Sequence, residues 1–219
     1  MSQTPKQTRM FTCVLAALLT MAGWAPALEA QRKDADKVLA LGDFYLKNND
    51  VTDAADRYYK QVIASAPGTR QAGLAQYNRG SYWHKKFYIL RERKGTNTRN
   101  EQSALIEAEG QYYDFVDKFA DRTNTIDLLA DASYNLALVY LQRNNRAYAV
   151  GWLNRMLNGA TDRDPQIYVY RVVWSSNPAD VIDRTVDAKG LTMFTRDAIS
   201  SGLSVDQVIS QVKQWCRRQ

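Results

Sequence analysis

The chain carries one histidine, His84, and two cysteines, Cys13 and Cys216, in 219 residues. A serine–histidine relay therefore has a single candidate base, and a metal site built from several imidazoles is excluded. The setting of that base, Trp83-His84-Lys85-Lys86, predicts a lowered pKa and discourages metal binding. Carboxylates offer a second chemistry: Glu107 and Glu109 lie within one turn of each other, near Asp114 and Asp117. Such pairs cleave glycosides when a cleft fixes their separation, but at this spacing they read first as a solvated helix face. No glycine-rich phosphate loop, Cys-x-x-Cys or Asp-rich calcium loop occurs. The residue types thus predict no catalytic site, no cofactor and no metal.

A third chemistry is electrostatic. Lys85, Lys86, Arg91, Arg93, Lys94 and Arg99 gather around the polar stretch 91–100, and such a cluster either solvates a loop or meets an anionic polymer. The overall balance is mild. Residues 1–30 hold Lys6, Arg9 and Glu29, so beyond them the 29 basic and 23 acidic residues of the full chain become 27 and 22, or +5. That is far from the clustered excess of a nucleic-acid binder.

Residues 1–30 read as a secretory signal peptide: Lys6 and Arg9, then an apolar run from Met10 to Trp24, then small residues at Ala27 and Ala30 for cleavage. The run is shorter than the roughly 20 residues of a spanning helix. Cys13 lies inside it and lacks the Leu-x-x-Cys context of a lipoprotein signal. The expected address is the periplasm, with no transmembrane segment in the mature chain. Beyond Ala30 only Cys216 remains, so no internal disulfide forms. It reads as a small hydrophobe beside Trp215, with a crosslink to a second chain as the alternative.

The elements that position these residues are helices. Val38, Leu41, Gly42, Tyr45 and Leu46 form one apolar stripe, Asn48-Asn49-Asp50 a turn, and Ala54, Ala55, Tyr58, Val62 and Ile63 a second stripe N-capped by Thr52. Ala66-Pro67-Gly68-Thr69 closes this hairpin. A second hairpin pairs a long helix over 70–93 with one over 101–119, the insertion 91–100 standing between them. A third places Tyr134, Leu136, Ala137 and Tyr140 opposite Ala149, Trp152, Leu153 and Met156. Asp164-Pro165 predicts a further helix through Trp174, although the alternation Ile167-Tyr168-Val169-Tyr170 also suits a strand. Asn177-Pro178 starts another helix that Gly190 ends, Gly202 ends the next, and Ser204 with Gln207 forms a capping box for the last.

Gly42, Tyr45, Ala54 and Tyr58 share their spacing with Ala137, Tyr140, Ala149 and Leu153. This pattern resembles the tetratricopeptide repeat. The stretches Tyr112–Asp121 and Ala132–Tyr140 are similar to the helix junction of envelope tetratricopeptide proteins, such as the β-barrel assembly subunit and the Tol–Pal coordinator. The resemblance covers roughly residues 35–160; the absent lipobox, the absent N-terminal coiled coil and the distinct C-terminal third set the chain apart from both. It implies an all-α fold: a right-handed superhelix of about three hairpins over 31–162, and a C-terminal helical cap or docking segment over 163–219. It implies, further, a groove lined by the first helix of each hairpin, with Asp43, Lys47, Tyr77, Ser81, His84, Lys85, Tyr134, Leu138 and Gln142 on its wall. Arg91, Arg93, Lys94 and Arg99 of the insertion form a second contact surface. The function this implies is an exported adaptor that holds protein partners in a cell-envelope complex. A subunit that self-assembles into a homo-oligomer is the second reading, and a binder of anionic envelope polymers the third.

Overall fold

The computed structural model describes residues 29–93, 98–161, 168–169, 171–177 and 186–218. Residues 1–28 of the expected signal peptide, and Lys94 of the insertion, lie outside them. Among the described residues eight α-helices follow in order: α1 (29–47), α2 (Ala54–Ser65), α3 (Arg70–Glu92), α4 (Thr98–Asp114), α5 (Leu129–Gln142), α6 (Arg146–Thr161), α7 (Ala188–Ser200) and α8 (Val205–Cys216). One short antiparallel pair, β1 (Tyr168–Val169) with β2 (Val186–Asp187), joins Val169 to Val186. Among the described residues the fold is all-α apart from that pair. From α2 onward each helix packs on the next in sequence.

Small residues set the hairpins. A Cβ at Gly42 would stand 2.5 Å from the Tyr59 ring, and one at Gly80 2.5 Å from the Tyr112 ring, so only glycine lets these tyrosines lie across the helix backbone. Ala137, Ala149 and Leu153 are buried at the corresponding places of the third hairpin. Tyr58 fills the large apolar position of the repeat pattern, but the ring that lies over Gly42 is that of Tyr59. Tyr58 instead stacks on Tyr45 at the half-buried rim, ring centroids 5.6 Å apart, while Ala55 and Tyr59 face the core. The cap of α2 is also corrected. Asp50, not Thr52, satisfies the free N–H groups, accepting from Thr52 N at 2.9 Å and Ala54 N at 3.0 Å.

A small core joins α1, α2 and α3 through Leu39, Ala55, Tyr59, Val62 and Tyr82; a larger one runs from Tyr77 to Cys216. Trp83 packs on both. Beneath it Asp56 is buried and ties α2 to α3, accepting from Arg79 Nε at 2.8 Å, Lys60 Nζ at 2.6 Å and Trp83 Nε1 at 3.2 Å. The helix expected to run to Phe119 widens after Asp114 into one π-helical turn, Phe115–Phe119, closed by Ala120 N–H on the Phe115 carbonyl.

The C-terminal third departs further from expectation. Pro165 lies outside the described residues, and the predicted helix through Trp174 gives way to β1 and, over 171–174, to residues in neither helix nor strand. The alternation at Tyr168-Val169 is the signal that holds. Gly190 does not end a helix; it sits in the first turn of α7, its N–H donating to Asp187 Oδ2 at 2.8 Å. Gly202, at φ 78°, follows the end of α7, and the Ser204–Gln207 capping box opens α8 as the residues predict. Helices α7 and α8 continue the main core through Leu191, Ile199, Val208 and Val212. The Tyr134 hydroxyl lies 2.7 Å from Thr195 Oγ1, and Arg146 donates to the Ile199 carbonyl at 3.0 Å and to that of Leu203.

Candidate functional site

Residues 171–177, in neither helix nor strand and bent at Ser175-Ser176, meet the first helix of each hairpin: α1 and α3 across a cleft, and α5 through Asn135. Asn135 of α5 holds that piece. Its Nδ2 donates to the Arg171 carbonyl at 2.9 Å and its Oδ1 accepts from Val173 N–H at 2.7 Å. These are the two main-chain groups a neighbouring β-strand would bond, and Asn135 is fully buried, so its amide is fixed. Farther along, Ser176 donates to the Glu92 carboxylate at the end of α3.

Beside this segment a cleft of about 430 Å³ opens against α1 and α3, lined by Asp43, Leu46, Lys47, Asn78, Ser81 and Lys85, with Arg171, Val172 and Trp174 on the opposite wall. Four of the nine expected groove residues, Asp43, Lys47, Ser81 and Lys85, therefore meet in one place. Asp43 Oδ1 accepts from the Tyr59 hydroxyl at 2.8 Å and from Asn78 Nδ2 at 2.8 Å. Burial first, and the neighbouring Asp43 carboxylate second, raise the Tyr59 pKa, so that hydroxyl stays a donor. Lys85 Nζ donates to the Leu46 carbonyl at 2.7 Å, placing its cation on the last carbonyls of α1.

The other five expected residues are elsewhere. Tyr77, His84, Tyr134 and Leu138 are buried in the core and present no surface to a partner. Helical position alone did not separate the groove wall from the face packed on the second helix. Gln142 reaches the Tyr88 hydroxyl at 3.0 Å and accepts from Arg91 at 3.1 Å, beside a second cleft of about 480 Å³ between α3, Trp174 and α8. His84 lies between Tyr88 and Tyr112 with neither ring nitrogen hydrogen-bonded, and burial pushes its pKa down to about 3. The direction matches the sequence reading. The cause is desolvation, not the adjacent lysines.

The basic cluster is partly drawn into the fold. Arg91 pairs with Asp206 of α8 at 3.0 Å, and Lys86 bonds Asp53 and sits 4.6 Å above the Trp83 ring. Arg93 and Arg99 are exposed. Of the paired carboxylates, Glu109 bonds Arg143 and the Tyr140 hydroxyl, and Asp114 bonds Lys118 at 2.7 Å. They brace helices. Cys216 is buried, and that burial raises its thiol to about 11. Among the described residues no helix is long and apolar enough to cross a membrane.

Two residues that the pattern did not single out define the face, Asn78 and Asn135. Each stands two positions before the small residue of its hairpin, Gly80 or Ala137, and that shared offset was the available signal. No protein-family model, no curated protein and no solved structure matches the chain.

Proposed function

We propose that this protein is an exported, non-catalytic adaptor of a bacterial cell envelope, a superhelix of tetratricopeptide-like hairpins that holds extended peptide segments of protein partners on its inner face. The observation that carries this reading is the seat of residues 171–177, whose main chain is bonded by Asn135 on that face. A surface that bonds the Arg171 carbonyl and the Val173 N–H of its own chain has the chemistry to hold the backbone of another. The export signal at 1–30 supports the periplasmic address.

A second reading, a self-assembling structural subunit, draws on Ile106, Tyr113 and Tyr148, which stand exposed on α4 and α6. Light scattering after size exclusion separates the two. The adaptor reading predicts a monomer of residues 31–219 across a wide concentration range, unchanged by reductant because the Cys216 thiol is buried. A defined oligomer overturns it in favour of self-assembly. An anionic-polymer binder is less supported, because Lys85, Lys86 and Arg91 already serve internal bonds.

A further inference from the structure

The cleft of about 430 Å³ against α1 and α3 has the volume of a small-molecule site, and one of its walls is the C-terminal segment 171–177, not a hairpin. Leu46 on one side and Val172, Val173 and Trp174 on the other give it a broad apolar lining. Its uncharged and acidic side chains are bonded to one another or to the helices behind them. Asp43 accepts from Tyr59 and Asn78, and Ser81 Oγ accepts from the Tyr112 hydroxyl at 3.2 Å.

The cations of the cleft are not neutralised in this way. Lys85 is 8 % exposed, and its ammonium meets only the Leu46 and Lys47 carbonyls, at 2.7 and 3.5 Å. Burial draws its pKa down, and no carboxylate of the described residues opposes that shift. An ammonium enclosed among neutral partners carries an uncompensated desolvation cost, which an anion beside it removes. Lys47 and Arg171 are exposed on the cleft, and neither forms an ion pair among the described residues. Burial and Asp43 raise the Tyr59 pKa, burial and Asp131 raise that of Tyr77, and the Arg171 charge opposes both shifts. Its guanidinium is thus within electrostatic reach of both hydroxyls, on the Asp43 side of the cleft. Three cations stand against one carboxylate that is already bonded twice.

We propose that this cleft binds a single-chain anionic amphiphile, a fatty acid or a monoacyl phosphate, with its head group beside Lys47, Lys85 and Arg171 and its alkyl chain along Leu46, Val172 and Trp174. A bare inorganic anion would leave the apolar wall uncovered, and a neutral apolar molecule would leave the cations unmet. A molecule with both parts answers both. Because Arg171, Val172 and Trp174 belong to the segment that Asn135 holds, the bound ligand ties that segment to α1 and α3. The site takes a small molecule, so it goes beyond the adaptor reading and does not depend on it.

The test is isothermal titration of the purified protein, below micelle concentrations, with decanoate, decyl phosphate, decanol, decyltrimethylammonium, acetate and inorganic phosphate. Decanoate or decyl phosphate should bind one per chain, at least about tenfold more tightly than decanol or decyltrimethylammonium, while acetate and inorganic phosphate give no measurable heat. The tighter anion identifies the head group as carboxylate or phosphate. Lys47→Gln with Arg171→Gln should weaken the anions about tenfold, flatten their salt dependence and leave decanol unchanged. Leu46→Asn should weaken decanoate and decanol alike. The proposal is overturned if decanol or the ammonium binds as tightly as the anions, if anion binding is indifferent to the charge pair or to Leu46→Asn, or if neither anion binds. In each of these cases the adaptor reading stands, since its test is the oligomeric state. Should the double variant not fold, by circular dichroism, the head-group series and its salt dependence on the unaltered protein decide alone.

Discussion

His84 packs its ring between two tyrosines with both nitrogens unbonded, and this makes stability depend on pH in a definite window. Its native pKa, about 3, is below the ordinary 6.5, so below pH 6.5 the unfolded chain binds a proton that the folded one refuses. Stability should fall by about 1.4 kcal/mol per pH unit as the pH drops from 6.5 toward 3. His84→Phe removes that slope. Urea denaturation at pH 7 and pH 4.5 should then give similar stabilities, where the unaltered protein loses about 2–3 kcal/mol. Asp56 acts in the other direction. Burial alone would raise its pKa, but bonds from Lys60 and Arg79 carry it below the ordinary carboxylate value, so its contribution is kept above about pH 4 and lost in stronger acid. Asp56→Ala leaves the mostly buried Arg79 without its carboxylate and should cost about 3–5 kcal/mol in denaturation at pH 7. Of these two residues, only the direction of the His84 shift was legible in the sequence. Lys60 is one helical turn from Asp56, but Arg79 and Trp83 are 23 and 27 residues away along the chain, a distance at which no spacing rule operates.

The hairpins state their chemistry in small residues, and glycine substitutions measure it. Gly42→Ala and Gly80→Ala push a methyl into a tyrosine ring at 2.5 Å and should each destabilise by about 1–3 kcal/mol. Gly110 is exposed on α4 with nothing within reach of a Cβ, so Gly110→Ala should stabilise by about 0.5–1 kcal/mol; thermal melts of the three variants check the signs. At this scale the sequence was most readable, because the helical period and the turn residues are local signals: the bounds of α3, the turn at 48–50 and the Ser204 cap all follow from them. It failed where a segment's hydrogen bonds go to a distant side chain. Residues 171–174 carry no pattern of their own that announces Asn135 as their partner, so the proline-led helix signal prevailed in the reading. The one-residue slip from Tyr58 to Tyr59 has a related cause: both tyrosines suit an apolar stripe, and only the packed hairpin separates the core-facing ring from the rim.

Across the whole molecule the C-terminal helices complete a core that the hairpins leave open. Val208, Ile209, Val212 and Cys216 join the same cluster as Tyr134 and Leu153, and Arg91 ties α3 to Asp206 of α8 from the far side. A chain ended at residue 203 should therefore expose that cluster, bind hydrophobic dye and associate in size exclusion. A truncated chain that stays monomeric with an unchanged melting temperature would instead make α8 an independent appendage. The all-α class was visible in the sequence. Of the nine residues expected to share a groove wall, four meet at the cleft and four are core. The central claim is that the face holding residues 171–177 is where partners bind. Its most direct test places a photoreactive amino acid at Lys47, on the lip of the cleft, and in a second variant at Tyr148 on the exposed side of α6, each irradiated in bacterial cells that produce the protein. The account predicts a discrete adduct with another protein from position 47, lost on Arg171→Glu, and none from position 148. Adducts from position 148 alone, or self-adducts of this chain from both, would contradict it.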